Sequence, residues 1–141
     1  MALRADRRDY KNAFTKHLSA YSNWQATGSK NSKRLILAYC VECGLKCAVM
    51  KQEHLYQIDD AQDDVKAELG SHDLRKLLKR LKLAGEFSFP AIKTSHGESV
   101  DSGTYHQLCR YCIPTESKYI GAIQQFDSTL EEIAKWIEEH V

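Results

Sequence analysis

Five cysteines pose the first chemical question of this chain. Cys40, Cys43 and Cys47, together with Cys109 and Cys112, spell two CxxC spacings. Thiolates so spaced can chelate zinc or an iron–sulfur cluster, and His106, three residues before Cys109, extends the donor set. Packing is the competing reading. Ile36, Cys40, Cys43, Cys47 and Met50 step by three and four residues along one apolar stretch, and a free cysteine in such a seam behaves as a small hydrophobe. Packing is the reading carried forward. No metal and no cofactor are expected, with a metal-binding helical regulator as an alternative function.

The same stretch, LILAYCVECGLKCAVM at 35–50, holds only two charged residues, Glu42 and Lys46. It is too long for a strand and lacks proline, so it reads as a helix buried on nearly all sides. Glu42 and Lys46 are four apart and share a face, with the acid N-terminal to the base. On so apolar a helix the pair must reach the surface, a cleft or a partner subunit. His72 lies at the start of another helix and is a candidate ligand contact. The seven glycines form no GxGxxG or GxxxxGK pattern, so no phosphate loop is expected. No Ser-His-Asp arrangement can be argued from spacing.

The elements that must position these residues follow from periodicity. A chain of 141 residues, 43% apolar and 28% charged, suits one domain at 1–141 with a real core. Helices are expected over about Leu3–Gln25 (core stripe Tyr10, Phe14, Leu18, Tyr21, with Trp24 near its end), over Leu35–Met50 reaching about His54, and over about 59–69. The next spans about 71–84, where Ser71 is the expected cap, Leu74, Leu77, Leu78 and Leu81 the stripe, and Gly85 the stop. A short turn at 105–111 and a last helix capped by Thr115 or Ser117 complete the set. Leu37, Val41, Gly44 and Ala48 form a second apolar stripe on the central helix, where Gly44 and Ala48 let another backbone approach. The segment at about 86–104 reads as one long flexible loop. The fold class is all-α, an antiparallel four- to five-helix up-and-down bundle.

The basic N-terminal residues are followed by no apolar run, so no secretory signal is expected, and no stretch is long enough to span a bilayer. A cytoplasmic protein with reduced thiols and no membrane association is the simplest reading. The net charge of +1 hides alternating blocks. Residues 1–34 and 71–93 are basic, and 35–70 and 94–141 acidic. Solvated faces explain the pattern, and a basic surface for phosphate or RNA is the sharper alternative.

Three segments in order carry a family resemblance: AYCVECGLKCAVM at 38–50, GSHDLRKLLKRL at 70–81 and LCRYCIP at 108–114. Together they resemble the HEPN domain, a small all-helical family, over most of the chain. The resemblance implies a homodimer that binds a nucleotide, RNA or a cognate partner protein, as HEPN domains in toxin–antitoxin and anti-phage systems do. It places the binding cleft near Glu42, Lys46, Arg110 and Tyr111. Many members resemble metal-independent ribonucleases whose hallmark is an Arg followed four to six residues later by His. Arg110 matches that Arg, but Thr115, Glu116 and Ser117 stand where the His would fall. The leading expectation is therefore a non-catalytic HEPN-like module. The alternative is a ribonuclease toxin with a variant site built from Arg110 with His72 or His106.

Overall fold

A computed structural model describes residues 3–25 and 27–141. Among the described residues the chain forms six α-helices: α1 Arg7–Ser22, α2 Lys30–Gln52, α3 Asp63–Leu69, α4 Leu74–Arg80, α5 Tyr105–Arg110 and α6 Ile120–His140. None is long and apolar enough to cross a membrane. One departure from an all-helical chain lies in the segment expected as a loop. There β1 Ile92–Lys93 pairs antiparallel with β2 Ser99–Val100. The turn between them is held by Thr94, a buried side chain whose Oγ1 accepts from the backbone N–H groups of His96 and Glu98, both at 3.2 Å. Gly97 supplies the left-handed residue that the turn needs, at φ 82°.

The central helix α2 packs against α1, α4, α5 and α6. Twelve of its residues, from Leu37 to Met50, are buried. It begins five residues before the first apolar position because Ser29 caps it, the hydroxyl accepting from Ser32 N–H at 3.4 Å. Gly44 is where three helices meet. A Cβ there would stand 2.6 Å from Ile137 Cδ1 of α6 and 2.7 Å from Phe14 Cδ1 of α1. The close approach expected at Gly44 is thus made within one chain. Helix α1 is shorter than its periodicity suggests. Asp6 holds an extended backbone at its start, its N–H donating to Asp9 Oδ2 at 2.8 Å while its own Oδ1 accepts from Ile58 N–H at 2.8 Å. At the other end the Asn23 side-chain amide donates to Ser19 O at 2.9 Å and closes the helix.

Three helix ends obey one rule that composition does not announce. After α2, α4 and α5 the chain turns through His54 (φ 57°), Lys82 (φ 60°) and Cys112 (φ 50°). In each case the next residue donates its N–H back into the last turn: Leu55 to Met50 O at 2.8 Å, Leu83 to Leu78 O at 2.8 Å and Ile113 to Leu108 O at 3.0 Å. These are Schellman motifs with a hydrophobic residue after the left-handed position and an apolar partner in the last turn. Glycine is absent from all three left-handed positions. The expected stop at Gly85 is therefore corrected: α4 ends at Arg80, because setting Leu83 against Leu78 decides the turn. The cap of α4 is corrected as well. Asp73 accepts from Arg75 N–H at 3.0 Å, while Ser71 Oγ accepts from Asp73 N–H at 3.0 Å. Helix α6 starts from a 3₁₀ turn at Ser117–Tyr119 with no side-chain cap, so neither Thr115 nor Ser117 fills that role.

Charged groups tie the small helices down. Arg80 of α4 donates to Glu68 and Asp64 on α3 and to Glu53 at the end of α2, the last two at 3.2 and 3.1 Å. The apolar stripe Leu74, Leu77 and Leu78 is buried beneath, with Leu81 half-buried at the helix end.

An L-residue in the left-handed region costs roughly 1–2 kcal/mol, and Lys82 is exposed, so its side chain contributes little in return. Lys82→Gly is expected to stabilise the protein by about 0.5–1 kcal/mol after the extra unfolded-state entropy of glycine. A urea melt checks this, and a lower midpoint would mean that the α4 end is not held this way.

Candidate functional site

The side chains singled out from the sequence meet where α2, the start of α4 and α5 come together. Glu42 and Lys46 point from α2 into this junction and both are buried. Lys46 Nζ donates to Glu42 Oε2 at 3.2 Å, and the second carboxylate oxygen stands 3.0 Å from His72 Nδ1. A carboxylate oxygen accepts, so His72 carries its proton on Nδ1 and leaves Nε2 free to accept a proton. Lys46 also lies 5.9 Å above the Tyr10 ring, which gives the buried ammonium an aromatic face. The pair expected at the surface, in a cleft or at a partner subunit is instead buried within the chain, and a histidine from another element completes it.

His106 of α5 approaches from the other side, its ring centroid 5.0 Å from that of His72 and tilted by 42°. Its pKa lies below the ordinary 6.5, first because burial penalises the imidazolium and then because a second positive charge is disfavoured beside the His72 ring and the Arg110 guanidinium. One turn on, Arg110 is exposed, and its guanidinium donates to Tyr39 Oη of α2. Tyr111 is also exposed beside it. The enclosed space between Glu42, His72, Ser102, Tyr105 and His106 is only about 10 Å³, room for one water at most. A ligand here would lie on the rim formed by His72 and Arg110.

Two supporting contacts position this rim. Ser102 Oγ donates to Asp73 Oδ1 at 2.6 Å, fastening the entry to α5 onto the cap of α4. Tyr105 Oη donates to Asp127 Oδ1 at 2.7 Å, fixing α5 on α6. Neither contact is visible from spacing, because each joins residues more than twenty apart in sequence. Tyr39 was also missed as a site residue, although its place three before Glu42 puts it on the same helix face.

The cysteines divide between two environments. Cys40 is buried and its Sγ lies 3.5 Å from Phe14 O of α1. Burial pushes its thiol up to about 12, and that of Cys43 up to about 11. Cys109 and Cys112 sit at the other end of the junction, by Arg34 and Asp127. Among the described residues no three His, Cys, Asp or Glu side chains converge as a metal site requires.

Comparison with protein-family models, with curated proteins and with solved structures gives no significant match to this chain.

Removing one partner of a buried pair leaves the other charge uncompensated, at a cost of about 3–5 kcal/mol. Glu42→Ala is expected to destabilise by that amount in a urea melt, and a loss under about 1 kcal/mol would mean the pair is solvated. His106 generates a pH dependence with a definite sign. Its folded pKa is depressed, so the unfolded chain binds the proton more readily, and stability rises with pH between the folded pKa and 6.5. Stability is fully present above 6.5 and falls as the solution is acidified below it. Melting temperatures of native protein and His106→Gln, measured from pH 7.5 down, should converge as the pH falls. Parallel curves would show that His106 is not held neutral.

Proposed function

We propose that this chain is a non-catalytic HEPN-like helical module, an up-and-down bundle that binds RNA through its phosphates at the rim of the Glu42–Lys46–His72–His106–Arg110 cluster. The observation that carries this reading is the state of Arg110. Arg4, Arg34 and Arg80 are paired with carboxylates, whereas Arg110, like Arg7, Arg8 and Arg75, has no carboxylate partner among the described residues; what sets Arg110 apart is its place, one turn after His106 with the Tyr39 hydroxyl as its partner. A guanidinium so held keeps its charge for an external anion. Arg75, Lys76 and Lys79 are exposed on α4, the helix that follows His72, and add positive charge there. The rim offers no room for a base, which favours contact along an RNA backbone over capture of a free nucleotide. In this reading the module works as a homodimer, alone or with a cognate partner protein in a toxin–antitoxin or anti-phage setting.

A second reading has a specific observation in its favour. Two histidines with ring centroids 5.0 Å apart, next to an exposed arginine, are the parts that general acid–base cleavage of RNA needs. Nε2 of His72 would take the proton of the 2′-OH as its oxygen bonds to phosphorus and the P–O5′ bond breaks, leaving a 2′,3′-cyclic phosphate; the departing 5′-oxygen would take a proton from water, and Arg110 would stabilise charge on the phosphate. This is the variant-site ribonuclease, and the same experiment separates the two.

Anisotropy of a labelled RNA oligomer, titrated in EDTA at several salt concentrations, is the test. Binding should weaken with salt. Arg110→Ala should lower the affinity several-fold and reduce the salt slope by about 0.7, the loss of one single-strand phosphate contact. Absence of binding at low salt, or equal affinity and slope in Arg110→Ala, would remove the reading. Cleavage of the RNA in EDTA that disappears in His72→Ala would replace it with the ribonuclease, and light scattering on the same samples reports whether the chain is dimeric.

A further inference from the structure

A second space in the molecule is far larger than the one beneath the histidines. It lies between the first turns of α2, the end of α5 and the start of α6, and it holds about 440 Å³. That falls within the range of about 300–1,000 Å³ typical of small-molecule sites. Its walls are apolar, formed chiefly by Leu108, Ile113, Ile120 and Ile123. Ile113 stands there because the left-handed turn at Cys112 folds it back on Leu108. Ile120 is 55% exposed, one of four large hydrophobic residues left uncovered among the described residues. A helix that buries Phe126, Leu130, Ile133 and Ile137 thus begins with an isoleucine at the mouth of this cavity.

The polar edge of the cavity is cationic. Arg34 is half-buried in its wall and donates through Nε to Asp127 Oδ2 at 2.7 Å. The other oxygen of Asp127 is taken by Tyr105. The terminal nitrogens of Arg34 have no partner among the described residues, so four of its five N–H donors are unspent. Asp127 balances the charge of Arg34. Lys30, exposed at the mouth one turn earlier, has no ion pair among the described residues. One uncompensated positive charge, a fork of unused donors and an apolar wall converge on one space.

We propose that this cavity is a ligand site for a small organic anion with a flat apolar body, its body against Ile113 and Ile123 and its anionic group between Lys30 and the terminal nitrogens of Arg34. The chemistry is shared by aromatic carboxylates and sulfonates and by nucleoside monophosphates. The site is separate from the Arg110 rim and stands whether or not RNA binds there.

The probe is 1-anilinonaphthalene-8-sulfonate, an aromatic body with one negative charge, whose fluorescence rises in apolar surroundings. Native protein should bind it at one saturable site. Lys30→Glu should weaken it about tenfold, the worth of one charge-assisted hydrogen bond, and Ile123→Trp should fill the cavity and abolish the signal. Cys112 is exposed at the wall, so its alkylation by iodoacetamide should slow when the site is saturated. That readout uses native protein and holds even where Ile123→Trp folds poorly. Adenosine 5′-monophosphate and phenylacetate compete in separate arms, and whichever displaces the probe identifies the class of head group. Four outcomes would overturn the proposal: no saturable site, binding indifferent to Lys30→Glu, Cys112 alkylated at an unchanged rate, or displacement by neither competitor. Arg110→Ala should leave probe binding intact, and loss of the probe in that variant would assign it to the rim and overturn the separate site.

Discussion

Burying a carboxylate and an ammonium on the central helix is the constraint that organises this molecule. Removing charges from water is expensive, and mutual attraction repays the cost only when the remaining hydrogen-bonding capacity is also met. Glu42 and Lys46 meet each other one turn apart on α2, but a carboxylate has two oxygens and Lys46 satisfies only one. The other calls in His72 from a separate element. Because His72 precedes the cap of α4, this hydrogen bond sets where α4 begins against α2. His106 then packs on His72 from α5. One buried charge pair thereby fixes the mutual position of three elements, and the group of titratable side chains around it is a by-product of satisfying it.

Rigid ends around that centre come from a different source. Three helices stop on left-handed residues that are not glycine. Such positions cost free energy and persist where surrounding contacts over-determine them. Here each turn is closed by a backbone hydrogen bond, Leu55 to Met50, Leu83 to Leu78 and Ile113 to Leu108, and all six residues lie in or against the hydrophobic core. Arg80 adds a second restraint by joining α4 to α3 and to the end of α2 through three carboxylates. The short helices α3 and α4 have seven residues each, too few to be stable alone. They hold their place because both restraints act at the C-terminal end of α4, while the His72–Glu42 hydrogen bond fixes the other end.

Helix α5 separates the small space beneath the histidines from the cavity beside Arg34. Its His106 and Arg110, four apart, face the histidine cluster and Tyr39, while Leu108, Cys109 and the turn at Cys112 face the larger cavity. Tyr105 borders both and is locked to Asp127. Six residues of helix therefore present opposite chemistries on opposite faces, cationic and titratable on one, apolar on the other. The division follows from the helical period.

Much of the fold was legible in the chain itself. The long apolar run announced a buried central helix, because sixteen residues with two charges and no proline read as a helix covered on nearly all sides. Leu74, Leu77 and Leu78 of α4 and Phe126, Leu130, Ile133 and Ile137 of α6 declared their core faces by period alone. Candidate site residues were legible for a related reason: Glu42 and Lys46 are conspicuous on an apolar helix, and His72 and Arg110 stand in recognisable local contexts. Their convergence was not legible, since it depends on one carboxylate oxygen reaching across thirty residues of chain. Helix ends, the hairpin at 92–100 and the cavity beside Arg34 were likewise hidden. Left-handed turns at His54, Lys82 and Cys112 carry no glycine to mark them, and Thr94 and Asp127 act on groups remote in sequence or closed only by folding. Local periodicity is written in the order of residues and therefore belongs to the sequence. Which buried polar atom finds which partner depends on the packing of helices already formed, and only the tertiary structure decided it.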